Sequence, residues 1–489
     1  IAYVSSLPDD VPATANLDFY AGLVRDRAIE RRNYVIDRLA ENGWIKQADA
    51  VAAGDQHRGR QAVETPGLAG AGRPGSCHLA RSSARRISCG PSARARGRSA
   101  LRELELFRLD HGDMRRRAAP DRARDHHWHQ WRGPENSGVS KTAKPPLQWG
   151  EKHNLGWKVK LKGQGTSSPI VWGNKVFLTT AVNTGKVAPT LQKPEDQPER
   201  VFGIKFPNTR FQMVVLCYDR TTGAPLWRRV ATELVPHEGH HRDASFASSS
   251  PFCDGERLYC WFASAGIFAY DLDGNRLWSR KLSKAKVGAS LGEGSSPVVH
   301  NDRLVLVRDH AGQSTIEVLD AATGEPVWQK DRDEGNAWAT PAIVEHNGVT
   351  QVITSASTRV RSYNLANGDL IWEAKGLTGN CAPCPIVDGK VVYCMSGYEG
   401  HALLAIPTTG KGDVSESILW RADRGTPYVP SPLLYDGRLY FTQSNQNILS
   451  SLRATDGSPA FKRTRVPDLG PIYASPVAAD GRIYLTGRN

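Results

Sequence analysis

A fixed period runs through most of this chain and limits what it can fold into. In "VLDAATGEPVW", Val318–Trp328, an aspartate stands three residues before Thr-Gly and a tryptophan four residues after the glycine. The Asp-x-x-Thr-Gly-x-x-x-Trp pattern is complete again at Asp219, Thr222, Gly223 and Trp227, and recurs with amides at Asn364, Asn367, Gly368 and Trp372. Asp271, Asp273, Gly274 and Trp278 form a version one residue shorter. Asp456, Gly457 and Phe461 keep the glycine-to-aromatic spacing, and Thr409, Gly410 and Trp420 carry a longer loop. A second marker, a small residue before proline, keeps step at Ser168-Pro169, Ser250-Pro251, Ser296-Pro297, Thr340-Pro341, Cys384-Pro385, Ser431-Pro432 and Ser475-Pro476. From Pro251 the gaps are 46, 44, 44, 47 and 44 residues, while the gap from Pro169 to Pro251 is 82. Such a period is the signature of a propeller or solenoid, with an insertion or a degenerate unit in the first gap.

Each unit implies a small antiparallel sheet. After the proline comes an apolar run, then a two-residue turn, then a second run, as in "SPLLYDGRLYFTQ" and "ASPVAADGRIYLTG". Asp-Gly between apolar runs suits a type I′ turn, which needs positive φ at both central residues. The Thr-Gly or Asp-Gly of the template is a second turn, with glycine at the left-handed position. Proline at a strand start costs no ladder hydrogen bond. A unit of roughly four strands is the blade of a propeller. Trp227, Trp278, Trp328, Trp372 and Trp420 then read as apolar plates buried between blades. Between Thr180 and Gln212 the pattern lapses into polar, Pro-rich sequence, expected to be a long loop inside the first blade.

The 489 residues suffice for two or three domains. The net charge of +13 is uneven: residues 54–125 hold 16 arginines, no lysine and 8 acidic residues. No apolar run is long enough to span a membrane. The chain begins at Ile1 without an initiator methionine or a signal peptide, and is expected to be a fragment. Of the eight cysteines, Cys381 and Cys384 form C-x-x-C, half of a zinc site, with Cys394 near in sequence. Cys253 and Cys260 fall on the two strands of one hairpin, as packing residues or a disulfide. Their redox state stays open at this stage.

Residues 1–53 have apolar residues at helical spacing in "FYAGLVRDRAIERRNYVIDRLAENGWI", with Asn42-Gly43 as a C-cap. Leu7-Pro8, Glu30-Arg31-Arg32-Asn33-Tyr34-Val35, Asp37-Arg38 and Asn42-Gly43-Trp44-Ile45 resemble the end of the transglycosylase domain of class A penicillin-binding proteins. The catalytic glutamates of that family lie upstream of this stretch, so the resemblance carries no activity. Residues 54–126 are rich in Arg, Ser, Gly, Ala and Pro without a period, and cannot bury enough apolar surface to offset chain entropy. They are expected to be an Arg-rich disordered linker or an out-of-frame segment, which would make the chain a chimera of unrelated genes. Nucleic-acid binding is not expected of this all-arginine composition.

From His127 onward the stretches "WHQWRGPENSGVS", "GEGSSPVVHNDRLVLVRDHAGQS", "RDEGNAWATP", "RVRSYNLANGDLIWE" and "SGYEGHALLAI" resemble the pyrroloquinoline-quinone-like (PQQ-like, BamB-like) β-propeller repeat proteins. The resemblance spans residues 127–489, in order and with repeat spacing kept. It implies an all-β propeller of about seven or eight four-stranded blades, incomplete at its C-terminus. It also implies a periplasmic or extracytoplasmic location. The quinoprotein dehydrogenases of this type place a vicinal disulfide against the quinone, with an aspartate base and Glu, Asn and Asp ligands for calcium. No Cys-Cys pair occurs in this sequence. The resemblance therefore implies the scaffold rather than the redox chemistry. No cofactor is expected; PQQ with Ca²⁺, in a quinoprotein-like oxidoreductase, is the alternative.

Two groups of polar residues are candidate sites. Glu293, Asp309, His310, Asp333, Glu334, Arg359 and Arg361 lie in or beside inter-strand loops, and are expected to converge at the mouth of the central channel or to bridge neighbouring blades. "PHEGHHRD" places His237, His240 and His241 on one loop with Glu238, a candidate zinc or copper site or simply a solvated loop. H-x-x-H-H lacks the helical H-E-x-x-H geometry, and no Gly-rich phosphate loop or G-x-S-x-G elbow occurs. The expectation is a monomeric, non-catalytic scaffold for a protein or peptide partner.

Overall fold

The computed structural model of the chain describes residues 3–5, 127–189 and 204–488. Six antiparallel sheets follow one another in chain order, each meandering through four strands. Blade 1 comprises Ile170–Trp172, Lys175–Val187, Thr209–Asp219 and Pro225–Leu234. Blade 2 comprises Phe252–Cys253, Arg257–Trp261, Ile267–Asp271 and Arg276–Arg280. Blade 3 comprises Val298–His300, Arg303–Arg308, Ser314–Asp320 and Pro326–Arg332. Blade 4 comprises Ala342–His346, Val349–Ser355, Arg359–Asn364 and Leu370–Lys375. Blade 5 comprises Ile386–Asp388, Val391–Ser396, Ala402–Pro407 and Trp420–Ala422. Blade 6 comprises Leu433–Tyr435, Arg438–Thr442, Ile448–Arg453 and Pro459–Arg465. A seventh sheet joins Val477–Ala479 and Arg482–Tyr484 to Val139–Ser140. This is a β-propeller, as the period requires.

The expected turns are present. Asp436-Gly437 and Asp480-Gly481 both have positive φ throughout, at 50° and 67° and at 50° and 74°. The apolar core is divided among the gaps between blades. Phe177, Val215 and Cys217 of blade 1 pack with Cys253, Leu258 and Tyr270 of blade 2. Comparable clusters join blade 2 to 3, 3 to 4, 4 to 5 and 5 to 6.

The tryptophans fasten the blades in one repeated way. Each projects from the outermost strand of one blade onto the turn glycine of the next. A Cβ on Gly274, Gly324, Gly368 or Gly457 would stand 2.5–2.7 Å from the rings of Trp227, Trp278, Trp328 and Trp420 respectively. Each glycine also has φ between 70° and 81°, so both conformation and space demand it. Every indole N–H donates to the carbonyl just after the third strand: Trp227 to Leu272, Trp278 to Ala321, Trp328 to Leu365 and Trp420 to Ala454, at 2.8–3.1 Å. Trp157, which the repeat pattern missed, does the same to Arg220 of blade 1 at 2.8 Å and lies over Gly223. Trp372 departs from the rule. Its N–H donates to Gln351 Oε1 at 3.1 Å, and Gln351 Nε2 in turn donates to the Thr408 carbonyl, the equivalent position in blade 5. The longer loop of blade 5 causes the change. It inserts Val414 into the 4–5 core and lays Gly412–Asp413 in parallel on Trp372 and Glu373 as a fifth strand.

Two expectations need correction or limits. The lapse expected from Thr180 to Gln212 is in part a ladder: the long strands of blade 1 pair from Ala181↔Met213 to Val187↔Thr209, with an irregularity after Asn183. Alternating burial was lost there because both strands run past the core. Of residues 1–53 only Tyr3–Ser5 is described, as a strand parallel to Lys158–Lys160. The helical reading of that segment and the linker reading of residues 54–126 lie outside the described residues.

Candidate functional site

The segment His127–Ser140 runs along the innermost strands. The carbonyls of Trp128 and His129 accept from Val171 of blade 1 and Cys253 of blade 2, at 2.7 and 2.9 Å. Asn136 Nδ2 donates to the Pro341 carbonyl of blade 4 at 3.4 Å, and Trp131 Nε1 donates to Cys384 Sγ of blade 5 at 3.4 Å. Arg132 Nη2 donates to the Pro432 carbonyl of blade 6 at 2.6 Å. Val139 and Ser140 pair with Ala478 and Ala479. One segment thus touches the inner strand, or the small residue and proline that lead into it, in six of the seven sheets.

Around it runs a belt made by the small residues before proline. The backbone N–H of Ser168 donates to Ser250 Oγ at 2.9 Å, Ser250 N–H to Ser296 Oγ at 3.0 Å, and Ser296 N–H to Thr340 Oγ1 at 3.0 Å. The series continues from Thr340 N–H to Cys384 Sγ at 3.2 Å, Cys384 N–H to Ser431 Oγ at 3.0 Å, and Ser431 N–H to Ser475 Oγ at 2.9 Å. A backbone N–H facing the axis needs an acceptor, and a small hydroxyl from the next blade supplies it. Cys384 is therefore a member of this belt, with sulfur in place of the hydroxyl. Among the described residues Cys217, Cys260, Cys381, Cys384 and Cys394 are buried free thiols, and Cys253 is buried. Burial pushes the Cys394 thiol up to about 12 and Cys381 well above the usual range. Cys381 Sγ faces the Met395 carbonyl at 3.5 Å.

The charged candidates lie together at one end of the blades. In a four-stranded meander, the first and third turns fall at the tryptophan-docking end. The middle hairpin and the connector to the next blade fall at the opposite end, and there the structure places Glu293, Asp309, His310, Asp333, Glu334, Arg359 and Arg361. They bridge blades 2, 3 and 4. Arg332 grips Asp309 through Nε–Oδ1 at 2.7 Å and Nη2–Oδ2 at 3.0 Å, and its Nη1 donates to Thr354 Oγ1 and Tyr363 Oη. Arg361 donates to Glu334 at 2.7 Å and Glu373 at 3.1 Å, and pairs with Asp333. Arg359 reaches Asp333 at 3.2 Å. Arg308 stands 3.6 Å from Glu293 and donates to Ser283 and Ser264. Glu293 accepts from the Ser264 N–H at 2.8 Å. His310 Nδ1 accepts from the Gly312 N–H at 2.9 Å, and burial, helped by Arg308, lowers its basicity. Sequence reasoning missed Arg308, whose only signal was a basic residue ending an otherwise apolar strand.

The histidine loop does something else. His237 Nε2 bonds the Ala285 carbonyl at 2.8 Å, and His240 Nδ1 the His241 carbonyl at 2.8 Å. His241 Nδ1 accepts from the Asp243 N–H at 3.2 Å. Among the described residues no three His, Cys, Asp or Glu side chains gather as a metal ion would require. His237, His240 and His241 are not brought together: His237 reaches the Ala285 carbonyl on the next connector, while His240 and His241 bond within their own loop. Glu238 faces inward: both its oxygens accept from the Val287 N–H, at 3.1 and 3.2 Å. Burial pushes its carboxyl up to about 7, against that N–H and with a further push from Glu293. The connector it holds has Ala289 and Ser290 at φ 55° and 52°, a strained pair of the kind that clusters at recognition sites.

The sequence pattern of the family described as outer membrane protein assembly factor BamB matches residues 212–463, just over half of the chain. The chain belongs to that family. No curated protein matches this BamB-family chain. Among solved structures it is similar to BamB from Moraxella catarrhalis, at 15% identity and TM-score 0.41, over 58% of this chain and 81% of that one. It is also similar to a europium-containing methanol dehydrogenase, at 12% identity and TM-score 0.44, over 72% and 88% of the two chains. A third is a quinohemoprotein alcohol dehydrogenase from Pseudomonas putida, at 11% identity and TM-score 0.46, over 75% and 77%. No adjacent cysteines exist to face a quinone, no group of carboxylates gathers for a cation among the described residues, and residues 127–140 lie along the inner strands. No helix among the described residues is long and apolar enough to cross a membrane.

Proposed function

We propose that this BamB-family propeller is a non-catalytic scaffold that binds a protein or peptide partner in the periplasm or cell envelope. The partner docks on the end of blades 2 to 4 that carries the charged connectors. The observation that supports this reading is the state of the charges there. Each arginine at that end is bonded to a carboxylate, and the carboxylates Asp309, Glu293 and Glu334 are held by two or more donors or cations. A catalytic acid or base needs a group free to reach substrate, whereas a rigid polar rim serves recognition. The exposed part of that rim is Asp333, with Arg359 half-buried beside it.

The decisive experiment titrates the full chain with PQQ and Ca²⁺, following absorbance and melting temperature. No saturable shift is expected. A saturable shift, which a native-state ligand must produce, would replace the scaffold with a quinoprotein-like oxidoreductase. In parallel, an envelope protein crosslinked to the wild type should be lost with Arg359→Glu if the rim is the docking face.

A further inference from the structure

Four arginines are buried in the described part of the propeller: Arg132, Arg308, Arg332 and Arg361. Three of them face carboxylates, Arg308 at Glu293, Arg332 at Asp309 and Arg361 at Glu334. Arg132 faces none. Its Nη2 donates to two carbonyls, Ser137 at 2.7 Å and Pro432 at 2.6 Å. Its Nε and Nη1 are buried without any partner among the described residues. Only 3% of the residue is exposed.

The surroundings are built to hold this side chain. Gly138, at φ 79°, leaves room for it: a Cβ there would stand 2.7 Å from Arg132 Nη2. The Gly138 N–H closes the loop back onto the Arg132 carbonyl at 2.8 Å. Arg132 itself is held at φ 60°, a conformation that costs a non-glycine residue energy. The neighbouring belt members add donors. Ser431 Oγ and Ser475 Oγ each accept one backbone N–H, and no acceptor among the described residues takes their hydroxyl protons. Burying a guanidinium without a counter-charge is among the costliest arrangements a protein adopts.

We propose that Arg132 is the anchor of an axial binding site for a small oxyanion, of the phosphate, sulfate or carboxylate class. The anion supplies the counter-charge that the fold omits. Nε and Nη1 lie on different edges of the guanidinium, so the anion meets one edge and the Ser431 and Ser475 hydroxyls offer it further donors. The site is separate from the charged rim and does not depend on what docks there.

The test is equilibrium dialysis of the full chain against radiolabelled inorganic phosphate in a zwitterionic buffer, with sulfate and acetate as competitors. One equivalent is expected to bind and to compete. The melting temperature should rise by about 2 °C or more and saturate. Competition by a short peptide with a free C-terminal carboxylate, but not by its amide, assigns the site to a chain terminus. Phosphate and sulfate binding without peptide competition assigns it to free anions. Arg132→Lys, which keeps the charge, should weaken binding about tenfold, because lysine cannot reproduce the planar donor set. Arg132→Met, checked as folded by tryptophan fluorescence, should abolish it. No saturable binding to wild type overturns the proposal, and so does binding that persists in folded Arg132→Met. A thiolate absorbance at neutral pH that disappears in Cys384→Ser would also overturn it, because Cys384 would then be the counter-charge.

Discussion

The two ends of the blades are built on opposite plans. At the tryptophan-docking end the same bond recurs from blade to blade: an indole N–H to a turn carbonyl and a ring on a left-handed glycine. At the other end the belt bonds recur next to the axis, but the charged connectors do not repeat. The connectors into blades 2, 3 and 4 use Glu238, Glu293 and the Asp333-Glu334 pair with different donors each time. Repetition marks what every blade needs in order to stand beside its neighbour. Departure from it marks what one position in the ring does alone.

Substitutions can break or sharpen that contrast. The largest effect is expected from Arg332→Ala at the variable end, because it strands the buried Asp309 carboxylate. Urea unfolding should show a loss of about 3–5 kcal/mol, and adding Asp309→Asn should recover much of it. At the uniform end, Gly324→Ala combines positive φ with a clash against Trp278, and about 2–3 kcal/mol should be lost. An equal loss at Gly274 and Gly457 would confirm that the docking positions are interchangeable.

The next effect depends on pH. The Glu238 carboxyl is raised to about 7 in the folded protein, from a usual 4.5. The folded state therefore keeps a proton that the unfolded chain gives up, and this contribution is complete below pH 4.5 and lost as pH rises through 7. Glu238→Gln should match the wild type near pH 4.5 and exceed it by about 2 kcal/mol at pH 8. Trp328→Phe leaves the Leu365 carbonyl without its donor and should cost about 1 kcal/mol beyond the lost packing. The smallest effect is expected at Arg359→Ala, a rim ion pair worth about 0.5 kcal/mol. A loss above 2 kcal/mol there would make the rim structural and undercut its role in recognition.

The uniform end was legible in the sequence because its demands are local and repeated. Glycine at φ above 70°, Asp-Gly turns and the aromatic four residues on can be read from one strand pair. The small residue before proline was visible as a marker, but its meaning was not. The belt bond joins Ser296 to Thr340 and Cys384 to Ser431, and only the ring geometry brings those atoms together. The charged residues at the variable end lie beside one another in the structure, and Arg308, which pairs with Glu293 there, sits at the end of an apolar strand where no sequence pattern marks it. His237, His240 and His241 stand within five residues, yet side chains so close in sequence need not point to one place, and here they bond to different backbone carbonyls and amides. Arg132 was quoted within a motif, and no pattern could reveal that it is buried without a carboxylate.

The axial segment also has a consequence for biosynthesis. Each blade closes through hairpins between strands adjacent in sequence, so blades can form one after another as the chain leaves the ribosome. The segment cannot follow that order, because Arg132 waits for Pro432, 300 residues later. At translation speeds of about 5–20 residues per second that wait lasts about 15–60 s. Through that interval Trp131 lacks Cys384 for a time and Arg132 lacks Pro432 throughout. The first-made part of the propeller is the last to be secured, and it is there that a chaperone or a protease would find the newborn protein.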